Sequence, residues 1–177
     1  MSEFDLQPNF SGKLLRLRPL QAEDFEALYA VSSDPLVWEQ HPERERYKRE
    51  VFQGFFQVGM ESKGALLALD AKSGEVIGTS RFSNLNWDKN QIEVGYTFLA
   101  RRCWGGGYNQ ELKHFMLNHA FQYVERVVFF IGEHNRRSRI AIERLGAKLV
   151  ELVPARKPKE GSPYSSAVYA IDRKDWV

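Results

Sequence analysis

Between Gln91 and Ile131 the chain passes through a strand pattern, a glycine triplet, a helix pattern and a second strand pattern, and no other stretch limits the fold so severely. Gln91 to Leu99 (QIEVGYTFL) is rich in β-branched and aromatic residues. From Asn109 to Val124, Leu112, Phe115, Met116, His119, Ala120 and Tyr123 recur at three and four residues, which predicts a helix with one buried stripe. Arg126 to Ile131 (RVVFFI) is a continuous apolar run after that helix, as expected of a buried strand lying parallel to its predecessor. The segment therefore reads as a βαβ unit.

The flanking sequence supplies the rest of a sheet. Lys13 to Arg18 alternates leucine with basic residues up to Pro19, a strand with a stop. A helix follows over Gln21 to Val31, closed by Ser33-Asp34-Pro35. The polar stretch Trp38 to Tyr47 predicts a loop, and Lys48 to Met60 a softer helix weakened by Gly54. Ala65 to Asp70 and Glu75 to Phe82, joined by a short turn containing Gly74, predict an antiparallel hairpin. A short helix over Ser138 to Leu145 ends at Gly146, and Ala147 to Val153 pairs with Ser166 to Ile171 around a polar insert. The expectation is an α/β protein whose single mixed, mostly antiparallel sheet has about six to seven strands, with helices on both faces. No linker or repeat interrupts it, so residues 1–177 read as one domain.

Composition excludes several function classes. With 25 basic and 23 acidic residues the formal charge is only +2, too mild for a nucleic-acid partner. The first ten residues carry acids where a secretory signal carries basic residues and an apolar run, and no stretch of 18 apolar residues occurs, so no membrane span is expected. One cysteine, Cys103, fits a reducing compartment, with the cytoplasm as the default. The histidines at 41, 114, 119 and 134 form no zinc-binding pattern, so no metal is expected.

Gly105, Gly106 and Gly107 stand between a strand and a helix. Such a turn presents unpaired backbone N–H groups at the positive end of a helix dipole, an arrangement suited to a phosphate or pyrophosphate; the alternative is a tight turn with Asn109 capping the helix. No Lys-Ser/Thr follows, as a P-loop needs, and the element order is not that of a dinucleotide fold.

Two motifs resemble the GNAT (GCN5-related) N-acetyltransferases, especially the branch of ribosomal-protein N-terminal acetyltransferases. IEVGYTFLARRCWGGGYNQEL is similar to that branch's GY…WGxGY pattern, and HNRRSRIAIERLGA to its NxxSxxxxxxLGF/A pattern. The resemblance covers nearly the whole chain. It implies transfer of acetyl from acetyl-CoA to a primary amine, with a central parallel strand pair splayed to admit pantetheine. Backbone amides of Trp104, Gly105, Gly106, Gly107, Tyr108 and Asn109 would cradle the CoA pyrophosphate. Thr97, Phe98 and Leu99 would hydrogen-bond pantetheine, and an amide near Leu99 would polarise the thioester carbonyl. Asn109 departs from the usual Gly or Ala, and Ile142 replaces a frequent Tyr that protonates the leaving thiolate. Ser138 then becomes the nearest hydroxyl for that task, with Asn135 placing CoA; both residue types also suit a helix cap.

Glu93 shares its expected strand face with Gly95, Thr97 and Leu99, and an inner-strand carboxylate is costly unless solvated, paired or used. It is the first candidate base, with Glu133 the second. Cys103 reads as a small buried hydrophobe rather than a nucleophile. Arg136, Arg137 and Arg139 are candidates for a CoA phosphate. Trp38, His41 and Tyr164 are candidate acceptor contacts, Trp38 being equally suited to the core. The expected acceptor is an α-amine of a protein N-terminus, peptide or amino acid. The alternatives are a small-molecule amine, such as a polyamine or antibiotic, or an acyl-CoA-binding sensor without turnover. Monomer and homodimer are both compatible with the sequence.

Overall fold

The computed structural model describes residues 3–154 and 165–177. Among these, β1 (Phe10–Ser11), β2 (Leu15–Pro19), β3 (Ala65–Asp70), β4 (Val76–Asn86), β5 (Gln91–Leu99), β6 (Arg126–Gly132), β7 (Lys148–Pro154) and β8 (Ser165–Asp172) form one sheet. Its order is β1-β2-β3-β4-β5-β6-β8-β7. The helices are α1 (Phe25–Ser32), α2 (Arg49–Ser62), α3 (Tyr108–Ala120) and α4 (Arg136–Arg144). The mixed, mostly antiparallel sheet forms as expected, with one further strand. Phe10–Ser11 is only two residues long, too short for any periodicity to mark it. The predicted loop after Trp38 instead carries a 3-10 turn over Arg44–Tyr47, and another, Pro35–Trp38, precedes it.

The sheet separates two apolar cores. The larger holds Leu112, Met116 and Leu117 of α3 and Ile142 of α4 against Ile77, Phe82 and Val127. The smaller holds Leu28 of α1 and Phe52 and Phe56 of α2 against Leu67 and Phe98. Helices thus cover both faces. Burial of this kind contributes roughly 25 cal/mol per Å² of apolar surface and holds the sheet rigid beneath the loops.

β5 and β6 are the only parallel pair among the described strands, and the ladder joins just Gln91–Glu93 to Arg126–Val128. Beyond it β5 runs on to Leu99 and β6 to Gly132 without pairing to each other, so the sheet is open at its centre. The carboxyl ends of parallel strands are where open α/β sheets take ligands.

β5 also breaks step with β4. Arg81 opposes Gly95 and Thr79 opposes Phe98, so Ser80 alone faces both Tyr96 and Thr97. Tyr96 has φ 54°, and this β-bulge reverses the alternation of side chains. Val94 and Leu99, five residues apart, both enter the larger core, whereas Phe98 enters the smaller one. Glu93 consequently lies on the α1–α2 face, opposite Thr97 and Leu99. The shared face expected from the sequence is corrected by this one extra residue.

Candidate active site

The loop between β5 and α3 is fixed from three directions. The Tyr108 hydroxyl donates to Asp70 Oδ2 at 2.8 Å. The Glu111 carboxylate accepts the backbone N–H groups of Lys13, Leu14 and Leu15, each at 2.9 Å, fastening the first turn of α3 to the N-terminal segment. Trp104 Nε1 donates to the Leu99 carbonyl at 3.0 Å. Together with the Ser73 and Lys72 N–H groups, the Tyr108 hydroxyl holds Asp70 at about 2, so it stays ionised.

Within that frame Gly105 and Gly107 take positive φ of 71° and 87°. An L side chain is strained in such a conformation, and a Cβ at Gly107 would also meet Leu14 Cδ1 at 3.4 Å. Residues 104–107 form a turn, and none of the N–H groups of Gly105 to Asn109 makes a close, well-aligned hydrogen bond among the described residues, which leaves a contiguous row of available donors at the start of a 13-residue helix. The Trp104 N–H is not part of the row, because it donates to the Arg101 carbonyl at 3.0 Å. Asn109 is not the cap either; Gly107 occupies that position and Asn109 lies inside the first turn.

This row borders a cleft of about 780 Å³ that runs into the gap between β5 and β6. Thr97, Phe98 and Leu99 line it from β5, Ile131 from β6, and Asn109, Gln110 and Lys113 from α3. Asn135, Arg136, Arg137, Ser138, Ile142 and Arg144 line it from the α4 side. Among the described residues its wall carries Lys113 and three arginines and no carboxylate. A cationic rim, a row of free amides and a largely apolar gap fit a ligand with an anionic head and a long neutral arm, as CoA has.

Asn135 caps α4, its Oδ1 accepting the Ser138 N–H at 3.3 Å, and is buried at the cleft wall. This cap starts the helix at Arg136, two residues before the expected position. Arg137 stacks over the Trp104 ring at 3.7 Å and donates to the Val37 carbonyl at 3.2 Å. Arg139 faces elsewhere: it donates to the Tyr169 hydroxyl and the Glu133 carbonyl, both at 2.9 Å, and does not line the cleft. Glu133 accepts from the Ser165 hydroxyl and is likewise absent from the wall. Cys103 lines the cleft, but burial raises its thiol above the ordinary range, which suits the buried hydrophobe expected.

On the opposite face Glu93 is buried and accepts from Asn84 Nδ2 at 2.6 Å. Trp38 is core and wall at once. It is 2% exposed and donates to the Ser32 carbonyl, yet borders the cleft with His41. Burial and the neighbouring Arg46 push His41 down to about 3, so its imidazole is neutral. Tyr164 lies outside the described residues.

Sequence reasoning missed Lys113, Gln110 and Arg144. A signal for the first existed: Lys113, Met116, Leu117 and Ala120 share the i, i+3, i+4, i+7 spacing of a buried stripe.

Residues 15–148 match the family described as "Acetyltransferase (GNAT) domain". The match spans most of the chain, which belongs to this family of acetyl-CoA-dependent acetyltransferases. A GCN5-related N-acetyltransferase from Brucella melitensis superposes with a TM-score of 0.85 at 20% identity, over 96% of this chain and 80% of the other. A candidate ribosomal-protein-serine acetyltransferase from Vibrio cholerae gives 0.71 at 16% identity, over 93% and 97% of the two chains. Spermidine N-acetyltransferase from Vibrio cholerae, solved with CoA and spermine, gives 0.71 at 14% identity, over 92% and 97%. At these identities the likeness is one of fold. No curated protein matches the chain. Among the described residues no helix is long and apolar enough to cross a membrane.

Proposed function

We propose that this acetyltransferase acts on an α-amino group, that of a protein N-terminus, a peptide or an amino acid. The observation that carries the reading is that proton removal rests on one carboxylate, Glu93, which is buried against Asn84 across β5 from the cleft. The described cleft wall holds no carboxylate, and its one imidazole, His41, is held neutral with its titration near 3. Such a site favours an acceptor that supplies its own neutral fraction. An α-amine with a pKa of about 7.7–8.0 is roughly 10% neutral at pH 7, whereas an alkylamine near 10.4 is neutral to well below about 0.1%. Two guanidinium groups, Arg46 and Arg81, flank Phe55 on the α1–α2 face, a poor lining for a polycation such as a polyamine.

In this reading the amides of Gly105 to Asn109 take the pyrophosphate of acetyl-CoA, and Arg136, Arg137 and Arg144 supply the remaining countercharge. The pantetheine arm lies along Thr97 to Leu99 beside Asn135 and Ser138. The backbone at the β5 bulge donates to the oxyanion that develops on the thioester carbonyl. The acceptor approaches from the α1–α2 face past Trp38 and His41, and Glu93 takes the proton released from its nitrogen, directly or through a water. Thiol release from acetyl-CoA, measured against dipeptides, free amino acids, polyamines and aminoglycosides, tests the acceptor class. Turnover concentrated on α-amines is the expected result; a preference for polyamines or lysine side chains overturns it.

A further inference from the structure

Lys113 is the one charged residue on the buried stripe of α3. It is 5% exposed, beside Leu112, Met116 and Leu117 in the core. Its ammonium donates to Thr97 Oγ1 at 2.5 Å, and that hydroxyl lies 2.8 Å from Ser80 Oγ. No carboxylate lies within ion-pair distance among the described residues, and burial lowers its titration to about 7. A buried cation without a countercharge is expensive, and the expense falls when an anion arrives beside it. The place of Lys113 says which anion. It lines the cleft five residues beyond Tyr108, about 7–8 Å along the helix from the loop. Its partner Thr97 directly follows the bulge at Tyr96. Ile142, on the facing wall, offers no proton.

We propose that Lys113 is the group that neutralises the departing CoA thiolate, its ammonium donating to sulfur as the tetrahedral intermediate collapses. This rests on acetyl-CoA lying in the cleft as described above. The acceptor nitrogen has already bonded to the carbonyl carbon. On collapse the oxyanion's electron pair re-forms the C=O bond, the C–S bond breaks, and its pair leaves on sulfur. One proton passes from Nζ to sulfur, giving CoA thiol and a neutral amine. The proton shed by the acceptor nitrogen restores the ammonium through solvent, so the sum is amine plus thioester giving amide plus thiol. The other titratable groups on the described cleft wall are His41, Cys103, Arg136, Arg137 and Arg144, none of them anionic at neutral pH. On α3 itself Glu111 is engaged by the N-terminal segment, His114 is half-buried beside Trp176, and His119 packs on Phe4 and bonds the Asp5 carbonyl. Glu93 lies across β5.

The test titrates the thiol of bound CoA by its thiolate ultraviolet absorbance, with binding followed by calorimetry on the same samples. Wild type is compared with Lys113→Met, Lys113→Gln and Ser138→Ala, the folding of each checked by thermal melting. The expected result is a bound thiol that ionises about one pH unit or more lower in wild type and Ser138→Ala than in both Lys113 variants, about tenfold in thiolate population. On whichever amine is accepted, kcat falls at least about tenfold in Lys113→Met while KM for acetyl-CoA changes less than about threefold. CoA binding with the same thiol titration in wild type and both Lys113 variants overturns this inference alone. A shift confined to Ser138→Ala also overturns it and gives the proton to the serine. Absence of CoA binding in wild type overturns the placement of CoA and this inference with it.

Discussion

The two sides of β5 are built by different means. Toward α3 and α4, the side we assign to the acetyl donor, the groups offered to a ligand are largely backbone: five consecutive amides from Gly105 to Asn109 and the edge of β5 that does not pair with β6. Toward α1 and α2, side chains gather from distant positions. Arg46 stacks on Phe55 at 4.5 Å, and Arg81 stacks on Tyr96 at 4.1 Å and on Phe55 at 5.6 Å, with Glu93 on the same face. A backbone cradle needs only a strand, a glycine turn and a helix start. A wall of side chains needs every contributing element in the right register, and a single inserted residue can re-aim it.

The sharpest way to break this comparison is through Glu93. If the α1–α2 face serves proton removal, Glu93→Gln lowers kcat by about a hundredfold or more and leaves KM for acetyl-CoA nearly unchanged, since general-base contributions run about 10²–10⁴-fold. The amide retains the shape and can still accept from Asn84, so steady-state kinetics isolates the charge. A rise in KM for acetyl-CoA instead would place Glu93 with the donor side and erase the division.

Lys113 offers the next largest effect, on stability. Its folded-state titration lies near 7 against an ordinary 10.5, so between those values the unfolded chain binds more protons than the folded one. Stability from this group therefore rises as pH goes from about 7 toward 10, by on the order of 3 kcal/mol. In Lys113→Met that rise is absent and the protein is more stable at pH 7. Denaturant unfolding across this range checks both; identical pH slopes in the two proteins would show that the ammonium is solvated.

The same contrast separates what was legible in the sequence from what was not. The loop we assign to the donor was legible as structure because it is contiguous: Gly105 to Gly107 sit between two strongly patterned elements, and the apolar run of β6 fixes their relation. The sheet followed from alternation and turns, apart from the two residues of β1. The face of Glu93 was not legible, because no composition marks a bulge at Tyr96 and parity alone points the wrong way. Arg139 looked equivalent to Arg136 and Arg137, but the helix turn that begins at Asn135 sends it to Tyr169. Lys113 was readable as a charge in an apolar stripe, yet its burial depends on α3 lying flat against β5.

A smaller effect sharpens the account of the loop. Gly107→Val places a β-branched side chain at φ 87° and against Leu14, so the row of amides loses its geometry. Calorimetry should read a loss of about tenfold or more in CoA affinity, roughly 1.4 kcal/mol. Acceptor preference, measured at saturating acetyl-CoA, should not change.

Asn135 carries the finest distinction, because one side chain caps α4 and borders the cleft. Loss of an N-cap costs about 1 kcal/mol, so Asn135→Ala should lower the unfolding free energy by that amount. Asn135→Ser restores a capping oxygen and with it the stability, but it shortens the side chain and removes the amide that faces the cleft. Comparing CoA affinity in the two variants at matched stability then separates the roles. If Asn135 only shapes the helix, the serine variant binds CoA like wild type. If its amide touches the pantetheine arm, both variants lose affinity to a similar extent, by about threefold to tenfold for one neutral hydrogen bond. The second outcome would extend the donor side from a backbone cradle to one that also uses a buried side chain, and would soften the contrast drawn across β5.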